Sequence, residues 1–166
     1  MRDLIVKLWT LKESKDWTKI VEKLRELQSE KNKILLEGSE ETEYYSEADM
    51  IRHEIKYIND LIASLKIKDK EVLKALVEDL EKSQNWRINR LLWKTHEYKL
   101  DNYVPDEAYT TEDFYRAENR WIECLENLPT KLINELELKE QQEEATKQAE
   151  VQEQIDALSK LEVEGL

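Results

Sequence analysis

The chain has 166 residues, of which 40% are hydrophobic and 39% are charged, and its mean hydropathy is −0.80. This balance allows one narrow core or several helix seams but excludes a thick globular interior, so we expect an elongated protein. The net charge of −12 and the pI near 4.8 disfavour nucleic acid and anionic lipid as partners, because both are bound mainly through Lys and Arg.

The first part of the chain is predicted to be largely helical. Only two Gly and two Pro occur, so long, regular helices can form along most of the sequence. Residues 1–13 form a short apolar run that fits a strand, a docking arm or a first helical turn. From Asp16, apolar residues keep helical spacing until Gly38, which offers a C-terminal stop.

The strongest pattern belongs to the next helix, which Ser39 can cap. Its apolar residues follow an unbroken four-three alternation, typical of a coiled-coil seam: Tyr44, Ala48, Ile51, Ile55, Ile58, Ile62 and Leu65. Isoleucine at both core positions favours three or four strands, and of these we predict a homotrimer. The alternative is that the seam closes on another helix of the same chain, which a hairpin at Gly38 would permit.

Two breaks divide the rest of the chain. The segment 66–70 interrupts the apolar period, and Asp69 offers an N-cap for a third helix. The stretch 100–111 has turn chemistry and is the best candidate for a domain boundary. A further helix is predicted to start at Thr111 and to end at Pro129, because proline disrupts helix interiors.

A last helix follows Thr130, and its middle, residues 139–150, is nearly all Lys, Glu, Gln and Ala. Such a stretch buries little by itself, although a thin seam with a neighbour is available from Ala145, Ala149, Ile155, Leu158 and Leu161.

The predicted fold is therefore all-α: an elongated helical bundle or coiled coil with a short helical hairpin near residues 86–128. The predicted segments are an N-terminal arm with the coiled-coil region (1–68), a helical hairpin module with an aromatic cluster (69–129) and an acidic C-terminal helix (130–166).

Aromatic residues crowd into the hairpin region. As an interaction surface they would supply binding hot spots, and the candidate residues are Trp86, Trp93, Tyr103, Tyr109 and Trp121. The alternative is a hairpin core in which Trp93 and Trp121 face each other. We favour the core for Trp121 and leave Trp86 open.

Patterns for catalysis, metals or cofactors are missing from the sequence. Neither His follows a Glu by three residues, and there is no HExxH, CxxC or Gly-rich phosphate loop. Cys124 and His96 could be imagined as a nucleophile pair, but a small buried hydrophobe is the simpler interpretation of Cys124. His53 is interpreted as a polar residue flanking the seam. We therefore predict a non-enzymatic protein with no catalytic, metal-binding or cofactor-binding residues.

The single cysteine, Cys124, cannot form an internal disulfide, and no apolar stretch approaches the roughly 20 residues that span a bilayer. These features predict a protein made and kept in a reducing cytoplasm, without a membrane partner.

Residues 87–129 carry a family resemblance. Residues 87–95 read Arg-Ile-Asn-Arg-Leu-Leu-Trp-Lys-Thr, an acidic turn contains Asp101 and Pro105, and the following helix ends in Leu125-Glu-Asn-Leu128-Pro129. In this order the segment resembles a module of bacteriophage tail assembly and tail-fibre assembly proteins. His96 stands where that family has Asp, and no Trp follows it. The stretch 45–50, Tyr-Ser-Glu-Ala-Asp-Met, is similar to the start of the last helix in small phage head–tail completion proteins.

The resemblance implies a structural component of a phage tail, baseplate or tail fibre that connects other particle proteins by oligomeric helix packing. The expected partners are further copies of the chain, in a trimer, and neighbouring tail or fibre proteins. Such a component is made in the host cytoplasm and ends in the virion tail. Two alternatives stay open: a tail-fibre assembly chaperone that is not retained in the particle, and a cellular coiled-coil adaptor.

Overall fold

A computed structural model describes residues 1–36, 44–99 and 109–164. These residues form five helices and confirm the all-α fold class: α1 (Arg2–Glu13), α2 (Lys15–Leu36), α3 (Glu47–Ser64), α4 (Lys70–Lys99) and α5 (Thr111–Glu164). Gly38, Ser39 and Tyr103, which entered the sequence predictions, lie outside the described residues.

The apolar run at the start of the chain is a helix. Ile5 and Leu8 are buried on one face of α1, because residues three apart lie on the same side of a helix. Ser14 joins α1 to α2, and its Oγ accepts a hydrogen bond from the Trp17 backbone N–H at 3.2 Å. On α2, Trp17 and Val21 are buried on one face of the helix.

The third helix begins later than predicted. Ser46 and Asp49 form a capping box: Ser46 Oγ accepts from the Asp49 N–H at 3.1 Å, and Asp49 Oδ2 accepts from the Ser46 N–H at 3.2 Å. This reciprocal pair fixes the start of α3 at Glu47. Tyr44, the first residue of the predicted seam, consequently precedes the helix and is exposed.

The predicted seam packs within the chain. Ala48, Ile51, Ile58 and Leu65 are buried, whereas Ile55 and Ile62 are half-buried. The buried face of α3 extends to Glu54 and Leu61, since this helix lies against both α4 and α5. This is the alternative that the sequence left open, and the seam cannot hold a trimer unless the bundle opens. The number of copies in solution stays a prediction.

The break at 66–70 is confirmed. The Asp69 carboxylate accepts hydrogen bonds from the Glu71 and Val72 N–H groups at 3.0 and 3.2 Å, and α4 starts there. From Glu81 to His96 no side chain of this helix is fully buried, so this stretch has a broad outer surface.

Helix α5 starts beside α3. The backbones of Tyr45 and Tyr109 exchange two hydrogen bonds, of 2.7 and 3.0 Å, directly before the caps of the two helices. The cap of α5 is Thr110 and not Thr111, because Thr110 Oγ1 accepts from the Asp113 N–H at 3.3 Å. The Asp113 carboxylate accepts from the Thr110 N–H in return, at 2.9 Å.

The prediction that Pro129 ends a helix is wrong, because α5 continues through it. An interior proline usually costs about 3 kcal/mol through its missing N–H and its ring clash. Pro129 is itself fully buried, and the residues on both sides of it are buried too, among them Leu125, Leu128, Leu132 and Ile133. We attribute the continuity of the helix to this packing, which stabilises the helical residues on both sides of the proline.

One core joins all five helices. Its buried members are Ile5, Leu8, Trp17, Val21, Ile58, Leu61, Leu65, Val72, Leu76, Leu80, Leu125, Leu128, Leu132 and Ile133. The segments predicted as 1–68 and 69–129 therefore share a core, and the boundary at 129/130 lies inside α5. Helix α4 packs mainly on α3 and much less on α5, which corrects the predicted α4–α5 hairpin.

We expect Ile58→Ala to lower the free energy of unfolding by about 2–5 kcal/mol, because the substitution leaves a cavity between α3 and its neighbours. Chemical denaturation at low and high protein concentration measures this. The loss should be the same at both concentrations, since the seam is internal. A loss that grows with concentration would return Ile58 to an intermolecular seam. The exposed Lys56→Ala serves as the control.

Candidate interaction surfaces

A buried carboxylate ties α5 to α2 and α3. Glu118 is 1% exposed, and it accepts hydrogen bonds from Lys31 Nζ at 2.5 Å and from His53 Nε2 at 3.2 Å. Burial alone would raise the pKa of Glu118, but the bonds from His53 and Lys31 outweigh it and hold that pKa below its ordinary value. The His53 ring also stacks on Phe114, with centroids 4.6 Å apart. His53 therefore does more than flank the seam: it holds α5 in place.

A second carboxylate connects α3, α4 and α5. Glu54 accepts a hydrogen bond from Trp121 Nε1 at 3.3 Å and forms an ion pair with Arg87 at 3.0 Å. The Arg87 guanidinium lies 5.7 Å from the Trp121 ring centroid and 4.4 Å from that of Trp86. Trp121 is half-buried and packs against the core, although its neighbour on α4 is Arg87 and not the predicted Trp93.

Trp93 does not pack against Trp121. The α4 residue that faces Trp121 is Arg87, and Trp93 follows six residues later, about 240° around the helix. Trp93 is 51% exposed, with the cationic groups of Arg90 and Lys94 at 4.7 and 5.4 Å from its ring centroid.

The outer face of α4 forms a basic-aromatic ridge, which we define as Lys82, Trp86, Arg90 and Trp93. These residues share one face because they are separated by four, four and three positions. Trp86 is 58% exposed. Of the candidate partner surface, Trp86 and Trp93 are thus available to a partner, whereas Tyr109 is half-buried beside Tyr45.

The C-terminal part of α5 leaves the bundle. Arg2 reaches Glu140 at 3.5 Å, and from residue 141 to 162 every side chain is exposed. We call residues 141–164 the tip; as a helix it is about 36 Å long. It carries an exposed apolar stripe: Val151, Ile155, Leu158 and Leu161. The seam predicted from the sequence included Ala149, which lies on the opposite face, and missed Val151, which precedes Ile155 by one turn.

Cys124 is exposed, which corrects its interpretation as a buried hydrophobe. It lies between Ile122 and Leu125, both buried, but is rotated off the face that they share. Within residues 1–36, 44–99 and 109–164, no group of three or more His, Cys, Asp or Glu side chains could hold a metal ion. No helix in these ranges combines the length and apolar character needed to cross a bilayer.

We expect Glu118→Gln to lower the free energy of unfolding by about 1.5–3 kcal/mol at neutral pH, because two charge-assisted hydrogen bonds are lost. Since the folded-state pKa of Glu118 is below its ordinary value of 4.5, its contribution is present above that value and is lost as pH falls through the folded-state pKa. The stability difference between parent and variant should therefore shrink in acid.

Urea denaturation over a pH series measures this difference. The control is Glu126→Gln, whose carboxylate forms an exposed ion pair with Arg25 and should change stability by about 1 kcal/mol or less. A difference between the parent and Glu118→Gln that persists unchanged at acid pH would contradict the role of the ionised carboxylate.

Trp93 on α4 and Trp121 on α5 should respond differently to truncation. Trp121→Ala is expected to cost about 3–5 kcal/mol, because it opens a cavity and removes a donor to Glu54. Trp93→Ala should cost about 0.5 kcal/mol or less, because the side chain is half-exposed. Thermal melts of both variants make the comparison, and equal losses would restore the Trp93–Trp121 core.

Comparison with models of known protein families, with curated protein sequences and with solved structures found no match to this chain. The ridge and the tip both present large exposed apolar side chains to a partner, as α1 does with Val6 and Trp9.

Proposed function

We propose that this protein is a non-enzymatic structural component that connects other proteins by helix–helix packing, with the tip of α5 as its connecting element. The observation that carries this proposal is the exposed apolar stripe on the tip. Leu158 and Leu161 are 61% and 64% exposed, on a stretch of helix whose side chains are all exposed from residue 141 to residue 162.

Exposed apolar stripes of this kind are typical of docking helices. Their anchors recur at three- and four-residue intervals, as Val151, Ile155, Leu158 and Leu161 do, and they insert into a groove or pair with a second helix. A water-exposed stripe of four large apolar side chains adds nothing to the stability of this bundle. A partner that covers it gains about 1.5–3 kcal/mol for each side chain that becomes fully buried.

The tip is suited to act as a rigid arm. Its sequence is rich in Glu, Gln, Ala, Lys and Leu, which favour helix, and Gln152 Nε2 donates to Asp156 Oδ1 at 3.0 Å along its surface. Ile133, in the core, and Val151, on the tip, are 18 residues apart, which is about five turns. The apolar face that α5 buries in the bundle therefore reappears on the same side of the tip.

We place this component in a bacteriophage tail, baseplate or fibre. The support for this setting is the sequence resemblance of residues 87–129, which fall on α4 and α5 outside the tip. Retention in the particle distinguishes a structural part from an assembly chaperone, which leaves after its client has folded.

Purified particles test this function. We expect the protein in fixed stoichiometry by quantitative mass spectrometry, and we expect Ile155→Gln with Leu158→Gln to abolish its incorporation, because glutamine keeps the helix and removes the stripe. Thr146→Gln with Ala149→Gln, on the opposite face of the tip, is the matched control and should be incorporated like the parent. Presence only in infected-cell lysate, or normal incorporation of the stripe variant, would contradict the proposal.

A further inference from the structure

Resting on the connecting role of the tip, we propose that its first partner is a second copy of this chain: the tip of one copy docks on the basic-aromatic ridge of the next, head to tail. Five observations lead to this assignment.

The ridge is a surface built for a helix. Trp86 and Trp93 stand seven residues apart on α4, with Arg90 between them and Lys82 one turn before. The guanidinium group of Arg87 lies 4.4 Å from the ring centroid of Trp86, and that of Arg90 lies 4.7 Å from the ring centroid of Trp93. Each indole ring therefore packs against a cation. Tryptophan and arginine are the side chains most enriched in interface hot spots.

The ridge is basic in an acidic protein. Residues 82–96 contain four Lys or Arg and no carboxylate, although the net charge of the chain is −12. Glu54 forms an ion pair with Arg87. The Glu47 carboxylate forms ion pairs with Arg90 at 3.3 Å and with Lys94 at 2.8 Å. Three of the four cations are thus paired with two carboxylates, and the stretch 82–96 with these partners keeps an excess of two positive charges. Glu78 and Glu81 lie at the Lys82 end of the ridge, so the basic part of this surface runs from Lys82 towards Trp93.

The tip is strongly acidic. Residues 141–164 contain seven carboxylates and two Lys, an excess of five negative charges. Glu144 and Glu162 lie on the side of the stripe, each seven residues from one of its members, Val151 and Ile155. In a parallel tip–tip pair these carboxylates would meet their own copies, whereas the ridge offers them cations.

The two surfaces also match in length. The stripe from Val151 to Leu161 and the ridge from Lys82 to Trp93 each cover about 15 Å of helix. Four apolar anchors on the tip therefore meet two indole rings and their flanking cations over the same distance.

The placement of the two surfaces requires a second copy. The ridge half of α4 lies beside the start of α5, where Glu54 joins Arg87 to Trp121. The tip leaves the bundle at Glu140, about 28 Å farther along α5. Because α5 is continuous and points away from the ridge, a chain cannot dock its tip on its own ridge. Such a contact is heterologous, so two copies joined by one contact keep one unused ridge and one unused tip, and further copies extend the assembly into an open chain or close it into a ring.

A mixing experiment with the full-length protein tests this arrangement by light scattering coupled to size exclusion. One variant loses the tip contact (Ile155→Gln with Leu158→Gln) and the other the ridge contact (Lys82→Glu with Trp93→Gln). All four side chains are exposed, and unchanged thermal melts confirm that both variants fold. The parent should form species that grow with concentration, and each variant alone should be a monomer of 19.9 kDa.

Equimolar mixing should then produce a one-to-one heterodimer and nothing larger, because only one intact ridge and one intact tip remain. Raising the salt concentration should weaken this heterodimer at least tenfold, as the contact joins opposite charges across a partly exposed surface. Leu92→Gln, which removes a large exposed apolar side chain from another face of α4, should leave the association unchanged.

Other outcomes would overturn the proposal. A ridge variant that dimerises by itself would show tip–tip pairing. A parent protein that stays monomeric at high concentration would rule out self-association. If the Ile155→Gln, Leu158→Gln variant still failed to enter particles in that case, the connecting function would stand, with a different protein as the partner of the tip. A heterodimer insensitive to salt would remove the charge pairing on which the choice of partner depends.

Discussion

The bundle depends on the burial of one face of α5. Residues from Ala117 to Ile133 on this helix are covered by α1, α2 and α3, and the same face crosses Pro129 without a break. The other four helices make fewer contacts among themselves, apart from the α3–α4 pair. The tip and the half of α4 that carries the ridge are positioned by this arrangement, since both are extensions of helices that the core holds.

Polar contacts then fix the positions of α2, α3 and α4 relative to α5. Apolar packing alone tolerates sliding, but Glu118 can reach both Lys31 and His53 in one register only, and Glu54 likewise joins Trp121 and Arg87. Removing one partner would leave a buried charge uncompensated, and the penalty makes shifted arrangements unfavourable. Glu47 acts similarly at the outer end of α4, and its bonds to Lys94 and Arg90 hold the pKa of its carboxyl below the ordinary value. The three carboxylates align α2, α3 and α4 relative to α5.

The sequence predicted what depends on local chemistry and period. Helical content, the cap at Asp69 and the apolar face of α3 follow from residue types and spacing, and the structure has them. The sequence could not predict which helix covers the apolar face of α3, because an apolar seam has the same period whether its partner is in the same chain or in another. The prediction for Pro129 was wrong for a related reason. The cost of a proline inside a helix can be estimated from the sequence, whereas the packing that offsets this cost comes from distant segments of the chain. Trp93 was placed in a hairpin core because the sequence does not specify the relative rotation of α4 and α5, which Arg87 and Glu54 set. Val151 could have been found by extending the spacing of Ile155 and Leu158 back by one turn.

The paired starts of α3 and α5 have a mechanical consequence. Tyr45 and Tyr109 are joined through their backbones in an antiparallel bridge, and the caps Ser46 and Thr110 follow them directly, so the two helices start from a common origin. Farther along they stay in contact, where His53 meets Glu118 and Glu54 meets Trp121. An axial load on the tip travels along the single rod of α5 to this origin. Withdrawing α5 along its axis would shear its whole buried face at once, together with the pair at Tyr45 and Tyr109, whereas a sideways load would peel contacts one after another from Glu140 inwards. The protein is therefore built to resist tension along the tip better than bending at its base.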